Sequence, residues 1–146
     1  MAAETEGKSA SPSRPVIRIA AAIVVDAAGR TLLVRKRGTE AFMQPGGKIG
    51  DSELPIDALA REVREELGCR IAGAHRPLGR FSAVAANEAD TVVEAELFAV
   101  ELVGEIAPAA EIEEARWHHP DDVPAFPLAP LTRDHVLPLV RAWRQG

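Results

Sequence analysis

Residues 45–68 read PGGKIGDSELPIDALAREVREELG, a glycine turn followed by a polar loop and then by a segment with helical periodicity. At about 100° per residue, four aliphatic side chains fall on one face of that segment: Ile56, Leu59, Val63 and Leu67. The pattern predicts an amphipathic helix whose apolar face packs against the core of the protein.

Three glutamates share a second face of this helix. Glu62, Glu65 and Glu66 stand at positions i, i+3 and i+4, so their carboxylates are neighbours. Two unit charges about 6 Å apart repel by roughly 3 kcal/mol at an effective dielectric constant of about 20, and Arg61 offsets only part of this. Divalent cations such as magnesium bind carboxylates and leave positions for water and phosphate oxygens. The face therefore predicts a metal and phosphate site, with a solvated acidic surface as the ordinary alternative.

The spacing of the surrounding residues favours the site. Charged residues and glycines follow one another at the intervals of the Nudix box: Gly47, Glu53, Arg61, Glu62, Glu65, Glu66 and Gly68. By this specific pattern the chain resembles the Nudix hydrolases. The resemblance implies a single α/β (α+β) domain in which a mixed β-sheet is sandwiched between helices, with the box as a loop, a helix and a loop.

The resemblance also implies roles for the box residues. The family's metal-binding acids correspond to Glu62, Glu65 and Glu66, and its frequent general base also corresponds to Glu62. Glu53 matches an auxiliary acid, Arg61 matches the residue that orients the glutamates, and the backbone of Gly46 and Gly47 matches the turn that approaches the metal. The implied cofactor is Mg²⁺ or Mn²⁺. The implied reaction is attack of water on a phosphorus of a diphosphate linkage.

Two positions depart from the family pattern. Ser52 stands where the family usually has glycine, and Leu54 stands where a helix-capping Ser or Thr is common. Loss of a good N-cap costs about 1 kcal/mol, which Pro55 at the first helical position and Asp57 near the positive helix end partly offset. Neither departure removes a catalytic group.

Strands are predicted on both sides of the box. Residues 16–25 and 31–36 are rich in apolar and β-branched side chains and flank the turn sequence DAAGR, which predicts a hairpin. After the box, strands are predicted at residues 70–74, 78–85, 91–102 and 115–118, with breaks at Gly73 and Pro77. Residues 91–102 carry apolar groups on both faces, which predicts a central strand. Thr132 is predicted to cap a C-terminal helix.

Residues outside the box are candidates for binding the substrate. Arg35 lies beside Lys36 and Arg37 at the end of a predicted strand, where a cation can meet a phosphate, and Phe42 can stack on a base. Asn87 and Glu88 lie at a predicted hairpin tip and can reach a ligand, with simple turn formation as the alternative.

In the Nudix family an acid from the loop before the last strand often completes the metal site. Its distance from Trp117 makes Glu111 the first candidate and Glu114 the second, with a solvated loop residue as the alternative for each. His118 and His119 are predicted to be structural, because adjacent residues of a strand point to opposite sides.

Composition limits the partners. The 146 residues fit one domain, 16–146, preceded by a small and polar tail, 1–15, that is expected to be disordered. The net charge of −5 argues against a nucleic-acid polymer, and no apolar run is long enough to span a membrane. The single cysteine agrees with a cytoplasmic location. We expect a small nucleotide as the substrate, and the family resemblance allows a homodimer.

Three function classes fit this sequence. The favoured one is a metal-dependent pyrophosphohydrolase that cleaves a diphosphate linkage in a nucleoside triphosphate or in a nucleoside diphosphate linked to another group. A Nudix-fold binding or regulatory domain without catalysis would normally have lost box glutamates, and none is lost here. A Nudix-fold isomerase needs a catalytic cysteine, but the only cysteine, Cys69, lies at the end of the box helix.

Overall fold

In the computed structural model, residues 14–145 are described, without the side chains of Arg144 and Gln145. The tail expected at residues 1–15 lies outside these residues, except for Arg14 and Pro15. The described strands are β1 (Val16–Ile23), β2 (Thr31–Lys36), β3 (Phe42–Met43), β4 (Gly46–Lys48), β5 (Arg70–Val84), β6 (Val92–Val103) and β7 (Ile112–His118). The described helices are α1 (Pro55–Leu67), a π-helical turn (Thr132–Val136) and α2 (Leu137–Gln145).

The strands form two sheets. The larger sheet has the order β4-β1-β6-β5 and the smaller one the order β3-β2-β7. Strands β1 and β6 are parallel, whereas β4 and β5 pair with their neighbours in the antiparallel sense. The prediction of a mixed sheet with residues 91–102 in a central strand is confirmed, because β6 lies between β1 and β5.

Helices cover both faces of the larger sheet. The predicted apolar face of α1 is buried, with Leu59, Val63 and Leu67 fully inaccessible, and it packs in one cluster with Ala22 and Phe98. On the opposite face, Val136 and Val140 pack with Ala21 and Leu97. The predicted sandwich is therefore confirmed, and α1 carries the box against the centre of the sheet. Between residues 14 and 145, no helix has the length and apolar character required to cross a membrane.

The predicted hairpin of residues 16–25 and 31–36 is wrong. Strand β1 belongs to the larger sheet and β2 to the smaller one, and the two segments meet only near the turn, at the isolated bridge between Val25 and Thr31. The run Ala20–Val24 is buried on both faces, which is typical of a strand inside a sheet. Both edges of β1 are accordingly used by β4 and β6.

Two further predictions are corrected by the structure. Gly73 and Pro77 do not divide residues 70–84, because β5 absorbs them as register shifts at the edge of the sheet, where a missing N–H is tolerated. Thr132 does not cap the C-terminal helix, because it lies inside the π-helical turn and donates its hydroxyl to Gln44 Oε1 at 2.9 Å.

Candidate active site

The glycine turn brings backbone against the box helix. Strand β4 pairs with β1 so closely that a Cβ at Gly46, whose φ is +149°, would overlap the carbonyl oxygen of Ala20. A Cβ at Gly47 would lie 2.8 Å from Oε1 of Glu62. Position 46 therefore requires glycine because of the sheet, whereas a side chain at position 47 would displace the Glu62 carboxylate, which lies directly on the turn.

Arg61 organises two of the box acids. Its Nε and Nη2 donate to the two carboxylate oxygens of Glu53 at 3.0 and 2.9 Å, and its Nη1 donates to Oε2 of Glu62 at 2.8 Å. The Gly50 amide also donates to Glu53, at 2.8 Å. The bonds from Arg61 hold the pKa of Glu53 below its usual range, and the two acids raise the pKa of Arg61. Arg61 thus fixes the orientation of Glu62, as its match to the box implies.

Glu66 is the most deeply buried acid of the box. Only 3% of its surface is exposed, and its Oε1 accepts one hydrogen bond from the Gly46 amide at 3.3 Å. Burial and, to a smaller extent, the neighbouring Glu62 together raise the pKa of Glu66 to about 8, against the Gly46 amide and the positive charge of Lys36, which act in the opposite direction. A carboxyl so placed is stabilised in its ionised form by a nearby cation.

The donor set fits a hard divalent cation in part. Glu62 lies within hydrogen-bonding reach of the Glu66 carboxyl, and paired carboxylate oxygens are typical magnesium or manganese ligands. Glu65 is half exposed, with its Oε1 3.9 Å from Nη1 of Arg61. Within residues 14–145 no three Asp, Glu, His or Cys side chains lie close enough to form a complete metal site. Glu62 and Glu66 are therefore the residues that would hold the metal, next to the backbone of Gly47.

The fourth predicted acid is paired with a lysine. Glu111 is exposed, and its Oε1 is 3.2 Å from Nζ of Lys36. The alternative, Glu114, is bonded to Arg116 at 2.7 Å, which holds the pKa of Glu114 below its usual range. A metal-binding role for Glu111 stays a prediction.

A cleft between the two sheets leads to these acids. It is lined by residues from β1, β2, β4, α1 and the turn between β5 and β6, among them Ile19, Lys36, Gly46, Gly47, Glu66, Asn87 and Glu88. The predicted substrate-binding residues Asn87 and Glu88 are thus brought into the same cleft as Glu66. The cleft can admit a ligand whose phosphates reach the box acids.

The other two predicted substrate-binding residues lie elsewhere. Arg35 and Phe42 are paired across β2 and β3, on the side opposite to the cleft. Arg35 donates to the carbonyl of Thr39 at 2.9 Å, and Phe42 is 3% exposed with its ring 4.5 Å from that of Phe126. The prediction that Phe42 stacks on a base is wrong, because its ring is already packed inside the protein, and Arg35 does not line the cleft.

Lys36 lines the cleft in place of Arg35. Strand alternation puts Lys36 on the same side of β2 as the buried Val34, which also lines the cleft. The sequence contained this signal, since Lys36 stands two positions after the apolar Val34 and Arg35 does not.

A second, mostly apolar pocket adjoins the cleft. The two share several residues of β1 and of the segment before the glycine turn, including Ile19, Ala21, Met43 and Gln44. The only polar side chains that line the pocket are Gln44 and Thr132, and they are hydrogen-bonded to each other. Sequence reasoning missed this pair, because nothing in the local sequence relates positions 88 residues apart.

Comparisons with known proteins agree with the fold. The solved structures of a MutT NUDIX hydrolase from Burkholderia pseudomallei (24% identity, TM-score 0.68, 86% of this chain and 95% of that one) and of a MutT protein from Methanosarcina mazei Go1 (21% identity, TM-score 0.70, 93% of this chain and 100% of that one) are similar in fold. An RNA pyrophosphohydrolase from Halorhodospira halophila is 44% identical over 46 residues, which are 32% of this chain. The chain spans only 25% of the length of that relative. The NUDIX domain family matches residues 16–140, and the chain therefore belongs to that family.

Proposed function

We propose that this protein is a metal-dependent pyrophosphohydrolase that cleaves a diphosphate linkage in a nucleoside triphosphate or in a nucleoside diphosphate linked to another group. The observation that carries the proposal is the placement of Glu62, which Arg61 fixes against the Gly47 backbone and beside the buried Glu66. Arg61 and the Gly46 amide hold this pair of carboxylates beside an accessible cleft. The pair is suited to binding a metal and a phosphate.

Each box residue has a defined task in this proposal. Arg61 bonds Oε2 of Glu62, so we assign Oε1 as the acceptor of the proton from the attacking water. Water then forms a bond to one phosphorus, and the bond from that phosphorus to the bridging oxygen breaks, so that the leaving phosphate takes the electron pair. A bound Mg²⁺ or Mn²⁺ supplies charge that activates the water and neutralises the phosphates. Glu62 and Glu66 would hold it, with Glu65 on the same face of the helix, and Glu53 keeps Arg61 in place.

The apolar pocket beside the cleft receives the group attached to the diphosphate. Its two polar side chains, Gln44 and Thr132, already satisfy each other, so few free hydrogen-bonding groups face that ligand apart from Asn87 and Glu88 at the rim. Sites that leave the hydrogen bonds of a ligand unused discriminate weakly between similar ligands. We therefore propose a relaxed preference, with several nucleoside triphosphates or nucleotide sugars cleaved within about tenfold of one another.

The test is a panel of nucleoside triphosphates and nucleotide sugars, with phosphate or nucleotide release measured at fixed Mg²⁺ and again in excess chelator. We expect release from several compounds with Mg²⁺ and none with chelator. Nucleotide binding without release from any compound would favour the alternative of a binding domain. Preference for one compound by several orders of magnitude would contradict the relaxed selectivity and would indicate that Asn87 reads the ligand.

A further inference from the structure

We propose that Lys36 binds a phosphate of the substrate. The Lys36 ammonium group is paired with Glu111, and the phosphate displaces the Glu111 carboxylate from this pair. This inference rests on the proposed function, since it concerns the same cleft, and it adds a cation that the Nudix box does not contain.

The direction of the Lys36 side chain is set by the strand. Alternation along β2 places Val34 and Lys36 on the cleft side, whereas Arg35 points the other way. The pairing of β2 with β7 shifts between Arg35 and Lys36, so that Arg35 pairs with Glu114 and Lys36 with Ile112. Such irregularities re-aim side chains. Here the shift sets Lys36 opposite Ile112, which lines the same cleft.

Lys36 lies between two acids of different accessibility. Its Nζ is 3.2 Å from the exposed carboxylate of Glu111, and its charge also acts on the buried Glu66. The Glu66 and Glu62 carboxylates would bind the metal. Lys36 is the side chain of β2 that offers positive charge to a phosphate entering the cleft. A phosphate oxygen beside Glu66 therefore lies within the field of the Lys36 ammonium.

The ion pair between Lys36 and Glu111 is weak enough for a phosphate to replace Glu111. The two side chains are 38% and 61% exposed, and ion pairs of this kind contribute little to stability because solvent screens them. A carboxylate and a phosphate both form charge-assisted hydrogen bonds with an ammonium group, but the phosphate carries more negative charge and more acceptor oxygens. The phosphate therefore replaces Glu111 as the partner of Lys36.

The loop before β7 keeps Glu111 close to Lys36 when the phosphate replaces it. The Glu111 carbonyl accepts from the Arg37 amide at 2.7 Å, and the Ala110 carbonyl accepts from Arg37 Nη1 at 2.9 Å. On the other side, the Ala109 amide donates to the Glu66 carbonyl at 2.8 Å, which ties the loop to α1. The Glu111 carboxylate released by the phosphate thus stays at the rim of the cleft.

The chain offers a matched control one residue away. Arg37, the residue after β2, pairs with Glu113 of β7, Nε to Oε1 at 3.0 Å, and neither side chain lines the cleft. Replacing Arg37 by methionine removes an exposed ion pair, as Lys36→Met does, and also the bond to the Ala110 carbonyl, without changing the charge of the cleft. A difference between the two variants therefore reports on the cleft and not on the loss of an ion pair.

The experiment is titration calorimetry of inorganic pyrophosphate binding in Mg²⁺ for the unmodified protein, Lys36→Met, Lys36→Arg and Arg37→Met, with the thermal midpoint of each. We expect Lys36→Met to weaken binding about 10- to 100-fold, Lys36→Arg to restore it to within about threefold, and Arg37→Met to leave it within about twofold. Should Lys36→Met fail to fold, Lys36→Gln takes its place.

Equal pyrophosphate affinity of Lys36→Met and Arg37→Met would overturn the assignment, as would the lack of measurable binding by the unmodified protein. A different result would reject the proposed function. Pyrophosphate binding that depends on Lys36, together with no hydrolysis of any compound of the panel, would support this inference and reject only the pyrophosphohydrolase.

Discussion

The contacts that stabilise the two walls of the cleft differ in sequence separation. On the box wall, Arg61 bonds Glu62 one residue away and Glu53 eight residues away. On the opposite wall, Thr132 bonds Gln44 from 88 residues away, and Lys36 meets an acid from the loop before β7. The comparison indicates that the box wall, to which we assign the chemistry, is specified locally, whereas the other wall depends on the whole fold.

The comparison predicts that the largest losses of activity arise on the box wall. We expect Glu62→Gln and Glu66→Gln each to lose at least roughly 10²-fold in kcat, because each removes a base or a metal ligand. Glu113→Gln is the matched control, since Glu113 is an exposed acid paired with Arg37 outside the cleft. Steady-state kinetics at saturating Mg²⁺, with circular dichroism to check the fold, measures the effect. Full activity of both box variants would reject the mechanism.

A second effect belongs to the same wall and concerns the stability of the metal-free protein. The pKa of Glu66 is raised to about 8, mainly by burial, so the folded protein keeps a proton that the unfolded chain has already released. Stability is therefore lost as the pH rises from the unfolded pKa of this carboxyl toward its folded pKa. At 1.36 kcal/mol per unit, the free energy of unfolding falls by about 2 kcal/mol between about pH 6 and about pH 7.5.

Urea unfolding in excess chelator across this pH range measures the dependence. In Glu66→Gln, which has no proton to lose at this position, the curve is expected to flatten, and saturating Mg²⁺ is expected to flatten it in the unmodified protein. A free energy of unfolding that rises with pH in chelator, or an equal slope in Glu66→Gln, would contradict the assignment.

On the opposite wall, the expected effect is on stability and selectivity instead of rate. Thr132→Val removes the donor to Gln44 Oε1 and leaves a buried acceptor without its partner, which costs about 1–2 kcal/mol. Thr132→Ser keeps the hydroxyl and serves as the control. Thermal unfolding measures the loss, and the substrate panel measures whether the pocket now distinguishes ligands. No destabilisation in Thr132→Val would mean that the pair does not hold the pocket.

The sequence separation of the contacts also explains which structural features the sequence could predict. The helix face of α1, its buried leucines and the pairing of Arg61 follow from spacings within one helix and its loop, and the structure confirms them. The partners of β1 and β2 could not be predicted, because two apolar runs next to a turn do not reveal that each joins a different sheet. The burial of Phe42 could not be predicted for the same reason, since it depends on Phe126 from a distant loop.

The box itself contains one local departure, and it provides the smallest predicted effect. Ser52 has a φ of +64°, in the left-handed region that favours glycine, and the Nudix family usually has glycine at this position. The side chain therefore carries strain of about 1 kcal/mol or more, while glycine would add freedom to the unfolded chain worth about 0.4–1 kcal/mol. The two effects oppose each other, so Ser52→Gly is expected to stabilise the protein by less than about 1 kcal/mol.

Chemical denaturation of Ser52→Gly and Ser52→Ala measures this balance. The alanine variant keeps a Cβ at the same positive φ and should show no gain, which separates relief of backbone strain from loss of the hydroxyl. Activity is expected to stay unchanged in both variants, because the Glu53 side chain that follows is held independently by Arg61 and by the Gly50 amide. A loss of activity in Ser52→Gly would show that the turn before α1 must be rigid for Glu53 to hold Arg61, and the box wall would then depend on its loop as much as on its helix.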